Sequence, residues 1–321
     1  MSSSVSQELV ERVRTDPAIA ALLQQGGDGG DTGALQAWCD DACVRRYLRA
    51  RDCDVSKAVG MLSATLQWRR QQRPASTPCP KCSRDALAHN MRMIGFDARG
   101  RAVLYTCFSQ AHDRFDAHAN LTHLTHCLET TAAVLQQRQG EPGAEAEAVA
   151  VAAAGAVGAA AGGVQEKWVW FVDFDGYGLR DNNPRTCLLT AQLLNHYPER
   201  LAQVVMYGAP WLFGSVWGVV KKLLNEVTAS KVAFVPAADG GAALPALGLG
   251  EEVTAWLRAE CAQNRERRGG AGWAGAAADT KRYWLAPGGS APPHDPRAID
   301  SFVASADYAC IYPAAAGAAA E

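Results

Sequence analysis

The stretch from Trp168 to Val235 constrains this chain most. Short apolar strands alternate there with amphipathic helices. Trp168–Phe174 reads as a strand, and Asn183-Pro184 caps a helix running to about His196. Gln203–Tyr207 is the next strand, a helix follows Ala209-Pro210, and Lys231–Val235 is the last strand. Strand–helix–strand–helix–strand is the pattern of a parallel sheet with helical crossovers. The second helix, expected over 211–224, carries Trp211, Leu212, Phe213, Val216, Trp217, Val219, Val220, Leu223 and Leu224. That is more apolar surface than a core-facing stripe requires. A helix apolar on two sides is buried on both, or meets something apolar that is not protein.

Composition narrows the choice of class. With 321 residues, 48% of them apolar, the chain suits one large domain or a domain with a smaller partner. Its formal net charge of -2 offers no electrostatic case for nucleic acid. Met1-Ser2-Ser3-Ser4-Val5 shows neither a basic nor an apolar region of a signal peptide. Ala148–Val164 is too short and too mild to span a bilayer. The ten cysteines are spread thinly, so reduced thiols and a cytoplasmic location are expected.

Residues 1–33 read as a polar N-terminal segment ending in a Gly/Asp-rich linker. Leu35, Trp38, Ala42, Tyr47 and Leu48 fall on one side of a first helix, and Asp54 caps a second through Ala58, Leu62 and Leu66. Pro74–Pro80 is a breaker region. Asp97–Arg101 is a turn leading into a strand over Ala102–Phe108, and Leu121, Leu124, Leu128, Ala132 and Leu135 mark a further helix. Residues 140–163 form a low-complexity Ala/Gly/Glu insert, Glu251–Arg268 an amphipathic helix, and 266–321 a low-complexity tail expected to be loosely ordered.

Two blocks of short motifs occur in order. The first runs from Tyr47-Leu48-Arg49-Ala50-Arg51 through Asp54-Val55, Lys57-Ala58 and Met61-Leu62 to Leu66-Gln67-Trp68-Arg69. The second takes in Gly95-Phe96-Asp97, Gly100-Arg101-Ala102-Val103, Val172-Asp173, Tyr197-Pro198-Glu199-Arg200, Ala209-Pro210 and Thr228-Ala229-Ser230-Lys231. Together they resemble the CRAL-TRIO, or Sec14-like, lipid-binding family. The resemblance implies an α/β fold with a small N-terminal helical domain over 34–75. A lipid-binding domain over 90–265 would follow, interrupted by the insert at 140–163. In it a mostly parallel sheet flanked by helices would enclose an apolar cavity, with helix 211–224 as its gate.

The resemblance also implies function. The chain would bind a hydrophobic lipid and transfer or present it between membranes, as a cytoplasmic, peripheral-membrane protein, with no enzymatic activity and no cofactor. The expected ligand is a phospholipid such as phosphatidylinositol, or an isoprenoid-type lipid. The alternative is a lipid-responsive scaffold or sensor acting through a protein partner. Arg51, Glu199 and Lys231 match the family's phosphoinositide headgroup residues, where cations compensate phosphate and a carboxylate accepts from hydroxyls. Asp52 stands where the family commonly has Lys, and a carboxylate there repels phosphate; an ordinary salt-bridge cluster is the alternative for all three. The cavity is expected to involve Tyr105, Trp168, Trp170 and Val172, and the gate Trp211, Phe213, Val216, Trp217, Val220 and Leu224. Trp168 and Trp170 replace the small hydroxyl residues of phosphatidylcholine-binding members, which predicts a narrower cavity suited to a flat or branched apolar ligand.

Two further features compete with this reading. Asp173 and Asp175 near a strand end suggest a small-molecule enzyme, but no GxSxG elbow, HExxH or Walker loop accompanies them. Cys79-Pro80-Lys81-Cys82 is a single CxxC with His89 seven residues on; zinc needs about four ligands, and Cys107, Cys127, His123 or His126 would complete a set only if the fold brings them close. The expectation from sequence is a solvated loop with ordinary thiols and no metal.

Overall fold

A parallel sheet buries both faces, so its strands are built from branched and aromatic residues. Five such strands form one sheet, in the spatial order β1 (Arg92–Phe96), β2 (Ala102–Cys107), β3 (Trp168–Asp173), β4 (Leu201–Tyr207) and β5 (Val232–Val235). β1 and β2 are an antiparallel hairpin, and every later pairing is parallel. The computed structural model describes residues 5–24, 32–76, 79–82, 88–111, 113–139, 166–224, 226–270 and 298–311. The insert at 140–163 and the tail stretches 271–297 and 312–321 lie outside them.

The chain divides into two compact units, Met1–Thr77 with Gln192–Arg200, and Pro78–Ala191 with Leu201–Glu321. The first is helical: α1 (Gln7–Arg14), α2 (Pro17–Gln24), α3 (Thr32–Trp38), α4 (Asp41–Arg49) and α5 (Val55–Gln72). Val10, Val13 and Ile19 are wholly buried in its core with Val44, Leu48, Leu62 and Leu66. The reading of residues 1–33 as a polar segment therefore misses two helices. The single helix expected through Leu35 and Leu48 is also two. Asp40 ends the first and caps α4, its carboxylate accepting from the Cys43 N–H at 2.7 Å. Asp54 caps α5 in the same way, as expected, accepting from the Lys57 N–H at 3.0 Å.

The second unit carries the sheet and α6 (Ala117–Gln139), most of α7 (Pro184–Leu194), α8 (Phe213–Leu223), α9 (Glu226–Ser230), α10 (Gly240–Ala246), α11 (Glu251–Gly270), α12 (Asp300–Val303) and α13 (Ala306–Ile311). Asp97 closes the β1–β2 hairpin. Its carboxylate accepts from the N–H groups of Arg99 and Arg101, each at 2.9 Å, and from Arg101 Nε at 2.6 Å. The tail past residue 266 is not loose throughout. Ile299 donates its N–H to the Ile94 carbonyl at 3.0 Å, and Phe302 meets Phe96 edge-on at 5.8 Å. Gly95 makes room for this docking. Its φ is +141°, and a Cβ there would stand 2.5 Å from Ile299 Cδ1.

Candidate functional site

Alternation along β3 sends Trp170 and Val172 to one face of the sheet and Phe171 and Asp173 to the other. On the first face, Val172 and Phe174 join Val204 of β4, with Trp170, Met206 and Val232 packed around them. α8 lies on this surface. Its residues Phe213, Val216, Trp217 and Val220 fall at the i, i+3, i+4, i+7 spacing of one stripe. Phe213 and Val216 are buried, and Trp217 and Val220 are half-buried against the same cluster. Aromatic rings fix the contact: Phe213 sits 4.8 Å from Phe174, and Trp217 sits 5.3 Å from Phe234. The polar atom of Trp170 is satisfied along the sheet, its Nε1–H donating to Thr106 Oγ1 at 3.0 Å. What α8 covers is thus an almost wholly apolar surface.

The other side of α8 faces solvent and keeps apolar groups there. Trp211 is 91% exposed and Val219 48% exposed, with Lys221 and Lys222 exposed beside them. Trp211 precedes the first turn, because the helix begins at Phe213 and not at 211. Leu224 is half-buried at the opposite end, where its N–H donates to the Val220 carbonyl at 3.2 Å.

Of the residues expected in the cavity, Tyr105 lies on the other face of the sheet. Tyr105 pairs in register with Phe171, so it points to the face opposite Trp170. There its ring stacks 6.0 Å from Phe171 and meets Trp256 of α11 edge-on at 5.3 Å. Its hydroxyl accepts from Asn264 Nδ2 at 2.9 Å and donates to Asp173 Oδ2 at 3.3 Å. Tyr105 belongs to a polar core between sheet and α11, on the face away from α8. Trp168 shares the face of Trp170 by alternation. It is wholly buried at the start of the strand, and among the described residues it is not part of the cluster beneath α8.

The same opposite face disposes of Asp173 as a reactive carboxylate. Arg265 grips it with two parallel bonds, and the carboxylate is fully buried. Next to it Arg92 and Glu260 form a buried pair at 3.0 Å, with Gln110 Nε2 donating to the same Glu260 oxygen at 2.6 Å.

Of the three residues expected at a headgroup, Arg51 and Glu199 belong to the helical unit and Lys231 to the sheet unit. Arg51 lines a cleft of about 440 Å³ within the helical unit, together with Lys57, Thr65, Asn195 and His196. Glu199 is half-buried and adopts φ +62°, the left-handed region a non-glycine residue rarely takes. Asp52 is exposed and does not line that cleft. His196 is the residue that motif matching passes over. It stacks on Trp68 at 4.4 Å and 8°, its Nδ1 meets Thr65 Oγ1 at 3.0 Å, and its carbonyl accepts from Tyr47 Oη at 3.2 Å. Burial, with the Arg69 guanidinium second, pushes its imidazole down to about 4, so the ring is neutral at pH 7.

A helical unit joined to a mostly parallel sheet, whose apolar face lies under one helix, defines an α/β architecture of a recognisable class. The family model for the CRAL/TRIO domain matches residues 90–244, and that for the CRAL/TRIO N-terminal domain matches 24–64. Over these two regions the chain belongs to the CRAL-TRIO family, as its motifs suggested. It is similar to the phosphatidylinositol transfer protein CSR1 of Eremothecium gossypii, 24% identical over 216 residues, covering 62% of this chain and 44% of that protein. It is also similar to the phosphatidylinositol transfer protein PDR17 of Saccharomyces cerevisiae, 25% identical over 213 residues, covering 61% of this chain and 53% of that one. The chain thus spans about half the length of these relatives. Among solved structures it aligns with Sfh5 at a TM-score of 0.49 and 14% identity, over 73% of this chain and 81% of that one. Among the described residues, no helix is long and apolar enough to cross a membrane.

Proposed function

We propose that this protein binds a hydrophobic lipid on the sheet face covered by α8 and carries it between membranes. The observation that carries the reading is the two-sided helix. Its inner stripe seals an apolar face, and its outer side keeps a tryptophan, a valine and two lysines in water. Indole at the headgroup level and lysine against anionic lipid are the groups that hold a helix at a bilayer surface. At the membrane α8 swings outward, an acyl or isoprenoid chain takes the place of Phe213 and Val216, and return of the helix encloses it.

The energetics suit a carrier. Each methylene taken out of water contributes about 0.8 kcal/mol whether it lies in protein or bilayer, so exchange between the two is close to neutral. Within the helical unit, Arg51 with Lys57 supplies positive charge to a phosphate, and Glu199 accepts from headgroup hydroxyls. The two similar transfer proteins are named for phosphatidylinositol, which favours a phospholipid. The indole of Trp170 packs on this apolar face, and we read it as narrowing the space for a ligand. This favours slim or branched chains, including isoprenoid-type lipids, over phosphatidylcholine. We assign no catalytic step, because the buried carboxylate of Asp173 is taken up by Arg265, Asn264 and Tyr105.

Mass spectrometry of lipids that copurify with the chain tests the ligand, and transfer between donor and acceptor vesicles tests the activity. A phospholipid or isoprenoid carried in stoichiometric amount, with accelerated exchange, supports the reading. Binding without exchange would point instead to a sensor acting through a protein partner.

A further inference from the structure

The Cys79–Cys82 segment is not the solvated loop its composition suggests. Cys79 and His89 are buried, and α6 brings His123, also buried, against them. One ligand atom from each of Cys79, Cys82, His89 and His123 lies within 4.8 Å of all the others. The sulfur–nitrogen distances are informative. Cys79 Sγ to His89 Nδ1 is 3.5 Å, Cys82 Sγ to His89 Nδ1 is 3.4 Å, and Cys82 Sγ to His123 Nδ1 is 3.4 Å. Zinc bonds of about 2.3 Å to sulfur and about 2.0 Å to nitrogen, at the tetrahedral angle, put S and N about 3.5 Å apart. Three of the six edges of that tetrahedron already have this length.

The surroundings select the ligand atoms. His123 Nε2 stands 2.9 Å from the Met91 carbonyl. A carbonyl oxygen can only accept, so Nε2 carries the proton and Nδ1 presents its lone pair to the cluster. A histidine ligand held by a backbone carbonyl through its other nitrogen is the arrangement metal sites use. Cys127 lies on the far side of that ring, 3.5 Å from Nε2, and its thiol donates to the same carbonyl at 3.3 Å. It is therefore outside the ligand set. Among the described residues, His89 Nε2 is buried without a hydrogen-bond partner.

We propose that Cys79, Cys82, His89 and His123 form a structural zinc site. Two thiolates neutralise the ion, and two imidazoles complete four-coordination with no position left open, as structural rather than catalytic zinc requires. The ion would fasten the Cys79–Cys82 turn and the His89 lead-in of β1 to α6. Lys81, inside the CxxC turn, pins the same turn from outside through Asp113 and Asp116, the latter at 2.9 Å.

The test is metal analysis of the full chain, purified under reducing conditions, with cobalt(II) substitution. The site predicts about one zinc per chain, lost on chelation with a fall in Tm. It also predicts a cobalt form with the visible bands of tetrahedral coordination and charge-transfer intensity of two thiolates. Cys82→Ser should lose the zinc, and Cys127→Ser should keep it. If Cys82→Ser fails to fold, the wild-type cobalt spectrum decides by itself. Zinc far below one equivalent, together with a cobalt form lacking thiolate charge transfer, would overturn the proposal. So would zinc retained by Cys82→Ser or lost from Cys127→Ser.

Discussion

Arg265 holds Asp173 in a bidentate grip, Nη2 to Oδ1 at 2.8 Å and Nη1 to Oδ2 at 3.1 Å. The carboxylate ends β3 and the guanidinium comes from α11, so this pair fastens helix to sheet on the face away from α8. The Arg265 guanidinium also rests 4.8 Å over the ring of Tyr207. The face under α8 is thus backed on the other side of the sheet by a charged clamp. Removing one partner of a buried pair leaves the other uncompensated, which costs about 3 kcal/mol or more. Arg265→Met should therefore lower unfolding stability by about 3 kcal/mol. Asp173→Asn should cost less, because the amide still accepts from Tyr105 Oη. Urea denaturation followed by circular dichroism measures both.

The outer side of α8 is the membrane side in this account. Trp211 and Val219 are exposed, so Trp211→Asp with Val219→Asp should leave the fold unchanged. The loss of two apolar contacts, worth about 2 kcal/mol or more, predicts at least tenfold weaker association with vesicles. Trp217 and Val220 face inward, so the same changes there should destabilise the protein as well. Co-sedimentation with liposomes checks the outer pair, and unchanged binding would remove the membrane-facing role of α8.

His196 makes the helical unit sensitive to acid. Its imidazole titrates near 4 when folded, against an ordinary value of about 6.5. Between these values the unfolded chain binds the extra proton. Stability is therefore fully present above about pH 6.5 and is lost as pH falls toward 4. The full shift would amount to about 3 kcal/mol, and partial solvent screening of the ring reduces this to about 1–2 kcal/mol. His196→Gln should flatten that dependence while lowering stability at pH 7 through loss of the Trp68 stack. Thermal unfolding between pH 5 and pH 7.5 shows both effects.

Much of this was legible in the residues, and the misses have physical causes. β3 and α8 read directly, because unbroken β-branched and aromatic runs and an i, i+3, i+4 stripe are local patterns. The side of the sheet on which Tyr105 lies was not legible, because alternation fixes only relative direction along one strand. The pairing Tyr105↔Phe171 decides the side, and register is not local. α1 and α2 were missed because each is eight residues long and buries few side chains, so their signal is short. The docked segment at 298–311 was hidden by its Ala- and Gly-rich flanks, although Ile299, Phe302 and Tyr308 are its buried anchors. His123 joined Cys79 and Cys82 only through the packing of α6, which no spacing rule encodes.

The central claim is that a lipid occupies the face beneath α8 and leaves by way of a membrane. The most direct measurement is transfer of a labelled phospholipid and a labelled isoprenoid between vesicle populations, by the wild-type chain and by Val216→Asp. Val216 is 2% exposed in the seam between α8 and the sheet. A charge there opposes entry of an apolar chain without touching the outer face, and it lowers stability as at Trp217 and Val220, so folding of the variant is checked first by circular dichroism. The account predicts exchange well above the spontaneous rate for at least one of the two lipids, and its loss in the folded variant with vesicle association retained. No acceleration by the wild-type chain, or equal transfer by a folded Val216→Asp protein, would contradict it.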